Sequence, residues 1–376
     1  MRMVTIDELR PGMRLGRTVW GTSGTPLLRR GVVLDVEYIR SLRNAGAEVV
    51  YVREAGWEDV VLPELVSEQV YRAVRQAATR AFARLTGGRA YPLSRVRAAV
   101  ELLINDVMVA PNVVWAVKDL RAAGDHLFGH SVNVALLSLL VGQRVGLDRS
   151  DLIELGIGAL LHDLGKAYIP EPVLNRPGPL TEAEWQLMRD HPSLGYEALG
   201  KAGAGLLAAH IALQHHERIN GSGYPRALRG REIHLFAQIC GACDVLDAST
   251  SSRPYRHSAL TAAQALEHLQ AEAGRLYGER PVHALIQIVA PYPVASLVRL
   301  DDGSTAVVKQ VHVPSLDRPE VRVFRSPDGK PMRQFVDLDL SAQPSRHIVR
   351  TLAKGIDFGA EERSTYHRTR CLSHGH

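Results

Sequence analysis

"LIELGIGALLHDLGK", residues 152–166, is the stretch that decides the fold. Its first ten residues are apolar on nearly every side of a helix, and the run ends in His162 and Asp163. A helix that is apolar all round belongs in the centre of a protein and not on its surface. Residues 131–145 have the same character, so both segments are predicted to be central helices of a bundle.

Helical patterning extends from about residue 91 to about residue 291. Thr181 with Glu184 and Thr261 with Gln264 fit the capping box that begins a helix. Glycines such as Gly146 are typical of helix ends. This block is predicted to be all-helical, and the chain as a whole to be mainly α.

The segments on either side of the helical block have different patterns. Residues 292–345 alternate with a period of two around Asp-Gly turns, which predicts a small β domain. The full prediction is an α+β module at 1–55, a helical connector at 56–97, an all-helical domain at 98–291, the β domain, and a disordered tail at 346–376.

Composition excludes several classes of protein. The longest apolar stretch, residues 134–142, is far shorter than the ~20 residues of a membrane span. Only three cysteines occur, and Cys240 and Cys243 lie in an apolar helical pattern, which favours buried thiols in a reducing compartment. The net charge of +5 comes from scattered arginines. We therefore expect a cytoplasmic protein that binds neither a membrane nor a nucleic acid polymer.

The helical block contains a set of imidazole and carboxylate side chains. Asp163 follows an almost wholly apolar helix, so its ionisation requires a cation or strong donors nearby. His191 precedes Pro192 and is predicted at a helix entrance. The candidate metal ligands are His130, His162, Asp163, His191, His215, His216 and Asp244.

These residue types favour a divalent metal site without thiolates. Seven groups exceed the three or four protein ligands of one catalytic metal but suffice for two, with Asp163 as the natural bridge. Two such ions ~3.5–4 Å apart polarise a phosphodiester and generate a hydroxide nucleophile. Iron and manganese are favoured, with zinc, nickel, cobalt and magnesium as alternatives. Lys166 lies near the same centre, although it could serve only to pair with Asp163.

The order of these motifs resembles the HD-GYP family, a branch of the HD-domain phosphohydrolases. The segments that carry the resemblance are "GHSVNVA", "LLHDLGKAYIPEPVLNRPGPLTEAEWQLMRDHPSLG", "HHERINGSGYPRALRG" and "DVLDASTSSRPYR", in family order. They cover roughly residues 98–291. The resemblance implies an HD-domain bundle that hydrolyses cyclic di-GMP to pGpG, with GMP left open as the alternative end product.

Family roles carried onto matching positions give the same seven ligands, with Asp163 and Lys166 as catalytic residues. Lys166 would contact the scissile phosphate or the leaving oxygen, and Tyr224 would face the substrate. Arg253 and Arg256 would hold phosphate oxygens. Two alternatives remain: hydrolysis of another nucleotide, and a non-catalytic sensor or scaffold.

The sequence also departs from the family pattern. Asn220 stands where Asp is usual, Gln238 where Arg is usual, and Thr250-Ser251-Ser252 where a Thr-Ser-Asp run is usual. None of these removes a candidate metal ligand. His126 occupies the position of a glutamate that supports a third metal in some members, but a two-metal site is the prediction. A homodimer and regulatory partners that bind the GYP surface stay open.

Overall fold

The computed structural model describes residues 1–21, 25–47, 49–53, 56–62, 65–109, 128–174, 176, 178–251 and 259–352. The chain divides into two compact units. The terminal unit contains the described residues of 1–63 and 290–352. The helical unit contains the described residues of 65–109 and 128–289.

The terminal unit is built mainly of antiparallel strands. Its sheets have the strand orders β1-β5-β2, β3-β4 and β10-β6-β7-β8-β9. The elements are β1 (Arg2–Thr5), β2 (Arg14–Leu15), β3 (Val19–Trp20), β4 (Pro26–Leu28), α1 (Val36–Asn44), β5 (Val49–Arg53), β6 (Leu297–Leu300), β7 (Thr305–Gln310), β8 (Glu320–Arg325), β9 (Pro331–Asp339) and β10 (Ile348–Thr351).

One core in this unit joins the two ends of the chain. Met1 and Trp57 pack in the same buried cluster as Leu297 and Phe324. The Met3 amide also donates to the carbonyl of Ala295 at 3.3 Å. The α+β and β segments recognised separately in the sequence thus contribute to one hydrophobic core.

Strand β10 corrects the prediction of a disordered tail from residue 346. Ile348–Thr351 pair antiparallel with β6, and Ile348 is buried against the cluster around Val298 and Leu300. The segment Ile-Val-Arg-Thr is rich in β-branched residues, which favours a strand. The rest of the predicted tail, from residue 353, lies outside the described residues.

The helical unit is a bundle around one large apolar core. Residues 131–142 of α4 are buried at every position, and α5 is nearly as buried. This confirms the prediction of two central helices. The helices are α2 (Glu68–Thr86), α3 (Leu93–Val109), α4 (Phe128–Arg144), α5 (Arg149–Leu161), α6 (Glu171–Leu174), α7 (Glu182–Arg189), α8 (His191–Lys201), α9 (Leu206–Gln214), α10 (Leu235–Thr250), α11 (Ala262–Ala271) and α12 (Glu279–Ile286).

Helix α2 is part of this core, so the interpretation of residues 56–97 as a connector is wrong for it. Val74, Ala78 and Phe82 lie on its buried face, in the same cluster as Leu103 of α3. The sequence shows an amphipathic helix here but does not show which core receives its apolar face.

Local signals set several helix bounds as predicted. The capping boxes at Thr181 and Thr261 are both formed, and Gly146 adopts a positive φ just beyond α4. Cys240 and Cys243 are buried free thiols of α10. Among the described helices, none combines the length and the apolar character that crossing a bilayer requires.

Candidate metal centre

Five helices bring the seven candidate ligands together at one place. His130 lies in the first turn of α4, and His191 begins α8. His162 and Asp163 follow the end of α5, His215 and His216 follow α9, and Asp244 lies within α10. Asp163, His191, His215 and His216 form one group, and His130, His162 and Asp244 form another; within each, the potential ligand atoms lie within 4.8 Å of one another.

The two oxygens of Asp163 face different histidines. Oδ1 lies 3.4 Å from Nε2 of His191 and 3.7 Å from Nε2 of His215. Oδ2 lies 3.4 Å from Nε2 of His162 and 3.8 Å from Nε2 of His130. A single carboxylate thus presents one oxygen to each half of the cluster.

Backbone and carboxylate acceptors orient the imidazole rings. Nδ1 of His162 lies 2.7 Å from the carbonyl of Ala159, and Nδ1 of His191 lies 2.7 Å from the carbonyl of Met188. Because a carbonyl oxygen can only accept, each Nδ1 carries the hydrogen, and in the neutral ring Nε2 keeps a lone pair. His215 follows the same pattern, with Nδ1 at 2.9 Å from the carbonyl of Ala212.

The resulting lone pairs point at one another, which is unfavourable without a cation. Nε2 of His191 and Nε2 of His215 are only 3.4 Å apart. Within the described residues, Nε2 of His162 and Oδ1 of Asp163 are buried and make no hydrogen bond. Buried polar atoms are normally satisfied, and a ring held through Nδ1 with a free Nε2 is typical of a metal-binding histidine. The donor set therefore fits divalent metal ions.

The protonation states also suit such a site. Burial lowers the pKa of His215 to about 4, and burial together with His215 and His191 holds the pKa of His216 well below its usual value. Both rings are therefore neutral at pH 7, the form that binds metal. Burial alone would raise the pKa of Asp163, but Lys166 and His162 outweigh it and hold that pKa well below its usual range.

Lys166 lies in a short 3-10 helix and not on a continuation of α5. Its Nζ is 2.5 Å from Oδ2 of Asp163, on the side of the carboxylate that faces His162. The pairing that the sequence left open is thus present, and it places an ammonium group at the centre.

A close backbone contact sets the distance between Asp163 and α8. A Cβ atom on Gly165 would lie 1.9 Å from the carbonyl oxygen of His191 and 2.7 Å from the amide nitrogen of Gly195. Only glycine permits this approach. The glycine of "HDLGK" therefore allows the residues after α5 to pack against the first turn of α8, which begins at His191.

Tyr224 closes one side of the centre. Its ring stacks on His216 with a centroid distance of 4.7 Å and an interplanar angle of 25°. Gly223 is required beside it, because a Cβ there would lie 2.4 Å from backbone atoms of Glu217 and Arg218. The Gly-Tyr-Pro turn is thus packed against the residues that follow the histidine pair.

Glu217 holds this turn, a role that the sequence analysis did not identify. Its buried carboxylate accepts the amide hydrogen of Arg226 at 2.7 Å and that of Leu228 at 3.0 Å. A glutamate directly after two ligand histidines, and before a Gly/Pro-rich turn, was the available signal.

Asp247 supports His130 from α10, a contact that the sequence analysis also missed. Its Oδ2 lies 2.8 Å from Nδ1 of His130, and its Oδ1 accepts from Nδ2 of Asn133 at 3.0 Å. Burial lowers the pKa of His130, but Asp244 and Asp247 outweigh burial and raise it. The signal was the i, i+3 spacing of Asp244 and Asp247 on an apolar helix.

Three predicted or considered positions lie outside the described residues: Arg253, Arg256 and His126. Of the departures from the family pattern, Asn220 keeps an acceptor role. Its Oδ1 accepts from the amide and the hydroxyl of Ser222 at 3.0 and 2.7 Å. Gln238 donates to the carbonyl of Ile233 at 2.9 Å.

The helical unit resembles the HD domains of known proteins. Residues 118–280 match the HD domain family, and a cyclic di-GMP phosphodiesterase of Pseudomonas aeruginosa is 36% identical over 264 residues, which cover 69% of this chain and 63% of that protein. The chain contains an HD domain and is similar to the HD-GYP family. The resemblance stated from the motifs is thereby confirmed. Residues 297–355 match a KOW domain associated with HD domains, and they contain all of β6 to β10.

Two further proteins are similar to this chain. A 3'3'-cGAMP-specific phosphodiesterase of Vibrio cholerae is 32% identical over 252 residues, covering 66% of this chain and 52% of that protein. The chain spans less than two thirds of the length of each of these two curated relatives. The structure of an HDG"Y"P protein from Bdellovibrio bacteriovorus covers 75% of this chain and 97% of its own, with a TM-score of 0.51 and 18% identity, and it supports the fold alone.

Proposed function

We propose that this chain is a metal-dependent phosphodiesterase that hydrolyses cyclic di-GMP to pGpG, with GMP as the alternative end product. The proposal rests mainly on the position of Asp163, because its two oxygens face two separate sets of histidine Nε2 atoms. The name of the relative from Pseudomonas aeruginosa supports the choice of substrate. Residues 98–291 would form the catalytic domain.

Two divalent ions would occupy the cluster, with iron or manganese favoured by its imidazole and carboxylate donors. His191, His215 and His216 would hold one ion, and His130, His162 and Asp244 the other, with Asp163 shared between them. When bound, the ions would supply Lewis-acid activation of the phosphodiester and of the attacking water.

The remaining groups of the chain would bind and orient the substrate. Lys166 would place its ammonium group on a phosphate oxygen or on the leaving oxygen while it stays close to Asp163. Tyr224 would form the wall that faces the nucleotide, since its ring already covers His216. Arg253 and Arg256 are proposed to hold phosphate oxygens, on the strength of the family motif.

A second candidate substrate is 3'3'-cGAMP. The relative from Vibrio cholerae that carries this specificity in its name is 32% identical over an alignment of similar length. Metal ligands determine the reaction type, whereas contacts with the bases determine which cyclic dinucleotide is preferred.

Hydrolysis by the full chain tests the proposal. Protein purified without oxygen and loaded with Fe²⁺ or Mn²⁺ is incubated with cyclic di-GMP or 3'3'-cGAMP, and products are separated by chromatography. We expect pGpG from cyclic di-GMP, and no product from Asp163→Asn protein. Faster hydrolysis of 3'3'-cGAMP would favour the second candidate. Binding without hydrolysis by the metal-loaded chain would overturn the enzymatic proposal in favour of a sensor.

A further inference from the structure

Helix α7 carries two side chains beside Tyr224 that are not candidate metal ligands. Trp185 and Arg189 lie four residues apart and so share one face of the helix. The Trp185 ring meets Tyr224 edge-on, with ring centroids 6.3 Å apart. The Arg189 Cζ lies 5.1 Å from the centroid of the same tyrosine ring.

These contacts extend the surface that begins at the metal centre. Tyr224 stacks on His216, so Trp185 is only two aromatic contacts away from a candidate ligand. Each contact has the spacing of an ordinary ring pair. A ligand with one phosphate at the cluster would therefore find Trp185 and Arg189 within the reach of its other parts.

Both side chains have groups free for a ligand. Trp185 keeps 42% of its surface exposed, although burial of a tryptophan side chain contributes strongly to the stability of a core or an interface. Among the described residues, Arg189 contacts the Tyr224 ring but forms no ion pair with a carboxylate. Helix α7 thus presents an open indole and an unneutralised guanidinium on one side of the centre.

A cyclic dinucleotide contains what these groups bind best. It has two phosphates and two purine bases, and only one phosphodiester can lie at the ions at a time. Guanidinium groups bind phosphate through paired N–H donors, and indole rings stack on bases. We infer that Trp185 and Arg189 form a subsite for the half of the cyclic dinucleotide that is not being cleaved, with Trp185 stacked on a base and Arg189 on the second phosphate. This inference rests on the proposed function.

Two substrates separate this subsite from the catalytic centre. Cyclic di-GMP has the second phosphate and the bases, whereas bis(p-nitrophenyl) phosphate has one phosphate and no purine. For Trp185→Leu and Arg189→Gln we expect the KM for cyclic di-GMP to rise about 10-fold, because the loss of one base stack or one phosphate contact has roughly that effect. The KM for the small diester should change far less, and bound metal should equal that of the wild type.

Leu187→Ala and Lys201→Gln are matched controls. Leu187 is exposed on the same helix, and Lys201 is a cation that is 80% exposed at the end of α8. Neither control should change the KM for cyclic di-GMP. Two results would overturn the subsite while the proposed function stands. In the first, wild-type protein hydrolyses cyclic di-GMP and the Trp185 and Arg189 variants have the same KM as the wild type. In the second, the KM of these variants rises equally for cyclic di-GMP and for the small diester. Failure of the wild type to bind any cyclic dinucleotide overturns both.

Discussion

Replacement of Gly165 by alanine tests how the centre is assembled. A Cβ at this position would lie 1.9 Å from the carbonyl oxygen of His191 and 2.7 Å from the amide of Gly195. Both obstacles are backbone atoms, so no side chain can rotate out of the way. Because a real Cβ atom keeps at least 3.0 Å from the atoms around it, the segment that carries Asp163 must move away from α8 by roughly 1 Å.

This movement should weaken both the fold and the site. Overpacking of this kind costs about 1–3 kcal/mol of unfolding free energy, and a displacement of about 1 Å at a catalytic group costs roughly 100-fold in activity. Oδ1 of Asp163 and Nε2 of His191, which are 3.4 Å apart in the wild type, would move further from each other. We expect Gly165→Ala protein to melt at a lower temperature and to bind less metal than the wild type.

Gly200 on α8 provides a matched control. A Cβ there would meet no atom within 4 Å, and the residue lies in the same helix as His191. Since alanine is a better helix former, Gly200→Ala should raise the unfolding free energy by up to about 1 kcal/mol and leave metal content unchanged. Thermal unfolding and metal analysis of both variants give the comparison. Gly165→Ala protein that is as stable and as metal-rich as the control would show that this backbone contact does not position Asp163.

Three further predictions concern single carboxylates. Asp247→Asn should weaken metal binding about 10- to 100-fold, because an amide has one acceptor oxygen in place of the two that now serve His130 and Asn133; a competition titration with a chelating dye measures this, and unchanged affinity would argue against the contact. Glu217→Ala should raise the KM for the substrate and expose Tyr224 to solvent, because two backbone amides of the turn lose their acceptor; protection of those amides from hydrogen exchange should fall, and full protection would contradict the role. In the terminal unit, Arg322 lowers the pKa of Asp337 to about 2, so the stabilisation by this pair is complete above about pH 4 and is lost as the pH falls toward 2. The stability difference between wild type and Asp337→Asn should therefore shrink over that range in urea unfolding, and a constant difference would contradict the assignment.

Much of the candidate site follows from residue type and order. The apolar run before His162 predicts a central helix, and a carboxylate at its end requires a cation. The capping boxes at Thr181 and Thr261 fix helix starts because their hydrogen bonds are local. Such signals can be recognised from a few neighbouring residues.

Contacts between distant segments could not be found in this way. Asp247 and His130 are 117 residues apart, and the sequence does not show which imidazole the carboxylate supports. The core that Met1 shares with Phe324 could not be found for the same reason, because its residues are far apart in the sequence. The amphipathic pattern of α2 likewise identifies an apolar face but not its partner.

The location of bound metal is the most direct test of a two-metal site around Asp163. Crystals of the full chain loaded with Mn²⁺ without oxygen would be measured at the manganese absorption edge. We expect two anomalous peaks per chain, one on each side of the Asp163 carboxylate, with His191 and His215 at one peak and His130 and His162 at the other. An empty cluster, or peaks that have no ligand among these histidines, would contradict it.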